Sequence, residues 1–169
     1  MISDTVYILA PGPTLGLVPF ERLKNKSTIC INAAIELFQP NYWVVTSQEI
    51  LKHYKKVKVP SFVYAGGENA LVRAVQLVNG HAKKIILFGS DFVNLRNLPP
   101  VYDDIGNDFY ATGITFPVPE DPDKAIQKAL EDFRSFLREN KDIISKLYSP
   151  SKFLCSVIPV NRLCIRKCF

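Results

Sequence analysis

The sequence predicts an α/β fold: a single Rossmann-like domain with a mostly parallel sheet flanked by helices. Three observations carry this reading. Five short runs recur along the chain that are apolar almost throughout rather than alternating, as in strands covered on both faces. Stretches with helical spacing lie among them, and such alternation implies right-handed crossovers between parallel strands. The length, 169 residues, fits one domain large enough to bury its own core.

The runs fall in order. Thr5 to Ala10 (TVYILA) reads as a first strand and Ser27 to Asn32 (STICIN) as a second. Tyr42 to Thr46, Ser61 to Tyr64 and Lys84 to Phe88 follow as a third, fourth and fifth. Asn69 to Asn79 reads as a helix with Leu71, Ala74, Val75 and Val78 on one face, and Gly80 suits its end. Asp123 to Asn140 is the strongest helix. Ile126, Ala129, Leu130, Phe133 and Leu137 share one face, and Asp121-Pro122-Asp123 supplies a start signal. Between Val93 and Glu120 periodicity stops, in a stretch with four prolines and several aromatics. A long irregular segment inside a compact domain reads as a functional lid. The expected organisation is therefore a domain over residues 1–160, with a lid at 93–120, and a basic tail at 161–169.

Composition narrows the function classes. The chain is 47% hydrophobic and 22% charged, which is ordinary for a globular protein. No apolar run approaches the roughly 18 residues of a membrane span, and the first residues lack a basic signal region. A cytoplasmic protein is the expectation, and its four cysteines are read as reduced thiols. Cys164 and Cys168 have no second pair and no nearby histidine, so no metal is expected. The net charge of +5 gathers at Lys52 to Lys58 (KHYKKVK) and at Arg162 to Lys167. That admits a nucleic-acid partner, although a solvated helix face and a frayed end account for it more simply.

The residues that could carry chemistry stand at the ends of the expected strands. Ala10-Pro11-Gly12-Pro13-Thr14-Leu15 directly follows the first strand. Gly12 lets backbone approach a ligand, and Thr14 reads as a cap of a helix start whose free N–H groups suit a phosphate. On that reading a Cβ at Gly12 blocks the ligand and leaves the fold intact. Asn32 ends the second strand, where its carboxamide either contacts a nucleotide or caps the segment Ala33 to Phe38. Thr46-Ser47 ends the third strand and either caps the next helix or faces the ligand. Gly67, Glu68 and Asn69 end the fourth, and Gly89, Ser90 and Asp91 the fifth. Asp91 reads as a general base, a cation ligand or a cap. The two histidines, His53 and His81, lie away from strand ends, so a histidine-based nucleophile arrangement finds little support.

In combination these motifs resemble the bacterial sialyltransferases of glycosyltransferase family 42. They also resemble the related Rossmann-like proteins that include archaeal 6-hydroxymethylpterin diphosphokinases. In that group the first strand runs into G-x-G-P-S-L. Gly12-Pro13-Thr14-Leu15 is similar to its second half, with Ala10 in place of the first glycine. Ile31-Asn32 looks like the strand end whose Asn touches the nucleotide. Gly89-Ser90-Asp91-Phe92 looks like the group's Gly-x-Asp-Phe, and Lys146 to Ser151 resembles its closing short strand and Pro-Asn-Ser-like turn. The likeness runs from about Val6 to Asn161.

The resemblance implies a glycosyltransferase that uses a nucleotide-activated sugar, with a CMP-linked donor the family's example. It implies nucleotide contacts from Gly12, Pro13, Thr14, Asn32, Ser47, Gly67, Glu68, Asn69, Gly89, Ser90, Ser149 and Ser151. The family's sialyltransferases carry a catalytic His in the lid, but Phe109 to Ile114 hold none here, so proton transfer falls to Asp91, Tyr102 or Tyr110. The diphosphokinase branch tends to end its third strand in an acidic residue, where this chain has Thr46-Ser47. No cofactor beyond the donor substrate is implied. A non-catalytic nucleotide-binding module, a diphosphokinase-like protein and a nucleic-acid-associated protein remain alternatives, and a homo-oligomer is compatible with each.

Overall fold

A computed structural model describes residues 3–54, 56–59, 61–92 and 121–169. The segment read as a lid, 93–120, lies outside the described residues, and with it Tyr102 and Tyr110.

The chain forms one seven-stranded sheet in which every neighbouring pair is parallel. The strands are β1 (Thr5–Leu9), β2 (Ser27–Ile31), β3 (Tyr42–Val45), β4 (Ser61–Tyr64), β5 (Lys84–Phe88), β6 (Leu147–Ser149) and β7 (Asn161–Arg162). Their spatial order is β4-β3-β2-β1-β5-β6-β7. The five expected strands are all present. Of the two others, three and two residues long and too short to stand out as apolar runs, β6 falls where the resemblance set a closing short strand and β7 was not expected.

The α-helices are α1 (Gln48–His53), α2 (Ala70–Asn79), α3 (Pro122–Glu139), α4 (Lys141–Ile144) and α5 (Lys152–Val157). The start signal read for α3 is present, and α2 begins one residue later than read, with Asn69 as its cap. Asn69 accepts from the amides of Leu71 and Val72, and Asp121 from that of Lys124. The crossover from β1 to β2 departs from expectation: two short 3-10 turns, Pro13–Leu17 and Phe20–Leu23, replace an α-helix. Pro13, Gly16 and Pro19 stand too close together for one to propagate.

Burial of both sheet faces explains the continuous apolar runs. Val6 and Ile8 face a core built with α2, α3 and α5, including Leu71, Ala74, Val75, Phe133, Leu137 and Leu154. Tyr7 and Leu9 face a second core formed with Leu15, Leu23, Ile35, Trp43 and Ile50. The tail is part of that second core instead of a frayed end. Arg162 pairs with Ser149 in the sheet, Phe169 stacks on Tyr7 and Phe88, and the Tyr7 hydroxyl donates to the Cys168 carbonyl at 2.8 Å. Among the described residues no helix is long and apolar enough to cross a membrane.

Candidate functional site

The strand order reverses at β1. The chain first builds outward through β2, β3 and β4, then returns to place β5 on the other side of β1. In open parallel sheets the crevice beyond the carboxyl ends of such a strand pair is where ligands bind. Here it is formed by the loops Ala10–Leu15 and Gly89–Phe92.

Two glycines bring these loops into backbone contact. A Cβ on Gly12 would overlap the Gly89 carbonyl oxygen and come within 2.8 Å of Asp91 Oδ2. Gly89 has φ +68, and a Cβ there would overlap the Ala10 carbonyl and approach the Gly12 nitrogen to 2.9 Å. Gly12 itself has an extended φ of −100, so its need for glycine is spatial rather than conformational. This corrects the expectation that a Cβ at Gly12 leaves the fold intact. The side chain would collide with the neighbouring strand's loop before it met any ligand.

Thr14 and Asp91 lock the crevice. The Thr14 amide donates to Asp91 Oδ2 at 2.9 Å, and its hydroxyl donates to the same carboxylate at 2.8 Å. The Gly89 amide donates to the Thr14 hydroxyl at 2.8 Å. Thr14 is 2% exposed and Asp91 fully buried. Thr14 therefore lies within the Pro13–Leu17 turn and does not cap it, and its N–H, expected to stand free for a phosphate, already serves an internal carboxylate. The Leu15 amide is likewise committed to the Gly12 carbonyl at 3.0 Å. Asp91 is a brace between two loops, closed off from solvent.

Asn32 sits one strand away, beyond β2. Its Oδ1 accepts from the Thr46 amide at 3.0 Å and its carbonyl from the Trp43 indole N–H at 2.9 Å. It thus ties β2 to β3 and does not cap the turn that follows it. Its φ of +47 is rare for a residue with a side chain. With Oδ1 anchored, Nδ2 projects two donors that reach no described residue. Sequence reasoning missed Trp43 and Thr46 as the supports of this side chain. The signal available was only their place on the next strand.

The remaining candidates divide between the crevice and its surroundings. Pro13 is buried beside Thr14. Ser90 is 6% exposed, and its Oγ has no hydrogen-bond partner among the described residues. Ser149 donates to the Leu87 carbonyl at 3.0 Å and accepts from the Ser151 amide, while Ser151 caps α5 by accepting from Leu154. Both serines brace the far side of β5. Ser47 caps α1. Asn69 caps α2 and donates to the Ala129 carbonyl at 2.6 Å. Gly67 and Glu68 are exposed beyond β4, three strand spacings or about 14 Å from β1. His53 and His81 are exposed and outside the crevice.

Backbone strain marks the same edge. The described residues with positive φ are Asn32, Gly66, Gly67, Gly89 and Phe92, and each lies just past the carboxyl end of β2, β4 or β5. Such conformations concentrate at sites where backbone must approach a partner closely. Among the described residues no group of three or more His, Cys, Asp or Glu side chains could hold a metal.

Fold and site define a parallel α/β domain with a braced switch-point crevice. Compared with known proteins, the chain matches no family model, no curated protein and no solved structure.

Proposed function

We propose that the protein binds a nucleotide-activated sugar across the carboxyl ends of β5, β1 and β2 and transfers the sugar to an acceptor. The observation that supports this most directly is the pair of uncommitted donors on Asn32, held rigidly beside a crevice shaped by Gly12 and Gly89. Asn32 Nδ2 donates to the phosphate. Ser90, buried without a partner at the same edge, offers a hydroxyl. Thr14 and Asp91 keep the loops in register and touch no ligand. Departure of the nucleotide phosphate from an oxocarbenium-like sugar needs donors already aimed at the developing charge, which is what a fixed carboxamide supplies. The likeness of the strand-end motifs to sialyltransferases favours a CMP-linked donor.

A second reading, a nucleotide-binding module without catalysis, draws support from Asp91. Among the described residues the one carboxylate at the crevice is enclosed and bonded to Thr14, and neither histidine stands there. A single experiment separates the two. Titration calorimetry with CMP and a CMP-linked sugar measures binding, and release of free CMP measures turnover. Asn32→Asp is the informative variant. It keeps the acceptor for Thr46 and suits a positive φ, but it sets an anion against the phosphate. Binding weakens by at least about tenfold, since one charged hydrogen bond is worth about 1.5–3 kcal/mol. Unchanged binding by a folded Asn32→Asp protein overturns the site. Tight binding with no CMP release leaves the module reading in place of the transferase.

A further inference from the structure

The edge of the sheet at β4 is built to pair. Large exposed apolar side chains gather there: Phe62 is 54% exposed and Tyr64 42%, and Val57, 37% exposed, lies in the loop leading into the strand. The strand itself, Ser-Phe-Val-Tyr, carries no charge and no proline, the usual protections of a sheet edge. Its backbone is also open. The Ala65 amide bonds to the Val45 carbonyl, so Val63, two residues earlier, likewise turns its backbone groups toward β3. Phe62 and Tyr64 alternate with it, and their N–H and C=O groups point away from the sheet. None of those groups finds a partner among the described residues.

We infer that β4 pairs antiparallel with β4 of a second copy of this chain, joining two sheets about a two-fold axis through Val63. Phe62 then lies opposite Tyr64 of the second copy, with N–H and C=O exchanged both ways. The symmetry doubles this to four hydrogen bonds. It is the register in which both outward-facing residues of each strand are satisfied, and it sets Phe62 and Tyr64 against one another as cross-strand aromatic pairs. Val63 meets its own counterpart on the axis.

Charge selects the same occupant. The amino end of β4 carries exposed Lys56 and Lys58, and the carboxyl end carries exposed Glu68. None of the three has an ion-pair partner among the described residues. Antiparallel pairing about Val63 sets the end of one copy that carries Lys56 and Lys58 beside the end of the other that carries Glu68, just past the turn at Gly66-Gly67, where the long side chains can meet. A partner strand running parallel would leave Lys56 and Lys58 against the partner's own amino end. The interface is isologous and closes at two copies.

Sedimentation velocity on the full chain, from micromolar to near-millimolar concentration, tests this. A reversible species of twice the chain mass is expected. Tyr64→Pro removes an outward N–H and should abolish it. Lys58→Glu and Glu68→Lys are surface changes that leave the fold alone. Each alone turns two attractive contacts repulsive and raises the dissociation constant by about tenfold. The double variant Lys58→Glu/Glu68→Lys restores wild-type association, because the reversed charges again face one another. A chain that stays monomeric, alone or while an extended peptide of alternating valine and glutamate binds it, overturns the inference. So does a dimer indifferent to Tyr64→Pro, or one that the double charge reversal fails to rescue.

Discussion

Replacing Thr14 by valine preserves the shape of a buried side chain and deletes only its hydroxyl. In the folded protein that hydroxyl donates to the enclosed Asp91 carboxylate at 2.8 Å and accepts from the Gly89 amide at 2.8 Å. The first loss is a hydrogen bond to a charged group, worth about 1.5–3 kcal/mol. The second leaves a buried N–H without a partner, at about 1–3 kcal/mol. Asp91 keeps the Thr14 amide at 2.9 Å, which argues for the lower part of the combined range, about 3 kcal/mol. Against a typical stability of about 5–15 kcal/mol that is a large fraction. Thr14→Ser retains the hydroxyl and sheds one buried methyl, costing about 1 kcal/mol. Urea unfolding followed by circular dichroism reads the difference. With a slope of about 2 kcal/mol per molar, the Thr14→Val midpoint falls by about 1.5 M and that of Thr14→Ser by about 0.5 M. If valine and serine variants unfold together, the hydroxyl does not brace the crevice and the account of Asp91 fails.

Two further outcomes follow from the same geometry and from the cysteines. Gly12→Ala should cost about 2–4 kcal/mol and lower the melting temperature by about 6–12 °C, because its Cβ overlaps the Gly89 carbonyl. Gly16→Ala, with nothing within 4 Å of its Cβ, is the control and should melt within about 1 °C of wild type. Iodoacetamide at pH 8 should label exposed Cys164 and spare Cys30 and Cys168, as read by peptide mass spectrometry. Burial pushes the Cys168 thiol up to about 11. Its thiolate therefore grows about tenfold for each pH unit above 8 until the pH nears that value, and its labelling should climb in step. Equal labelling of Cys164 and Cys168 at pH 8 would contradict the burial of the tail.

β1, β2, β3 and β5 were legible because both of their faces are buried, which forces apolar residues at every position instead of every second one, whereas β4, exposed at the sheet edge, was legible from its aromatic and β-branched residues alone. The helices α2 and α3 were legible from spacing, and α3 also from its Asp121-Pro122-Asp123 start signal, whereas Asn69, taken for a ligand contact, caps α2. The site was legible only as a set of strand ends. That Thr14 and Asp91 face one another depends on β1 and β5 becoming neighbours, a long-range fact that no local pattern encodes. Asn32 was ambiguous for the same reason. A carboxamide after a strand serves a cap or a ligand equally well in sequence, and the anchoring by Thr46 and Trp43 appears only once β2 and β3 lie side by side. The role of the last residues was obscured by composition. Arg162, Arg166 and Lys167 read as a solvated end, and they masked Cys168 and Phe169, which pack on the sheet.

That packing also sets an order on folding. The Tyr7 hydroxyl is bonded to a carbonyl 161 positions later, and the Tyr7 and Phe88 rings are both covered by Phe169. Any partly folded species in which residues up to 160 are ordered and 161–169 are not leaves the Tyr7 and Phe88 rings, on β1 and β5, without their Phe169 cover. With residues up to 160 in place only the short tail itself remains to be closed, so its docking follows assembly of the sheet at a small further cost in closure entropy. A chain caught before it presents aromatic surface to its neighbours, which makes the interval before the tail docks the period of greatest aggregation hazard.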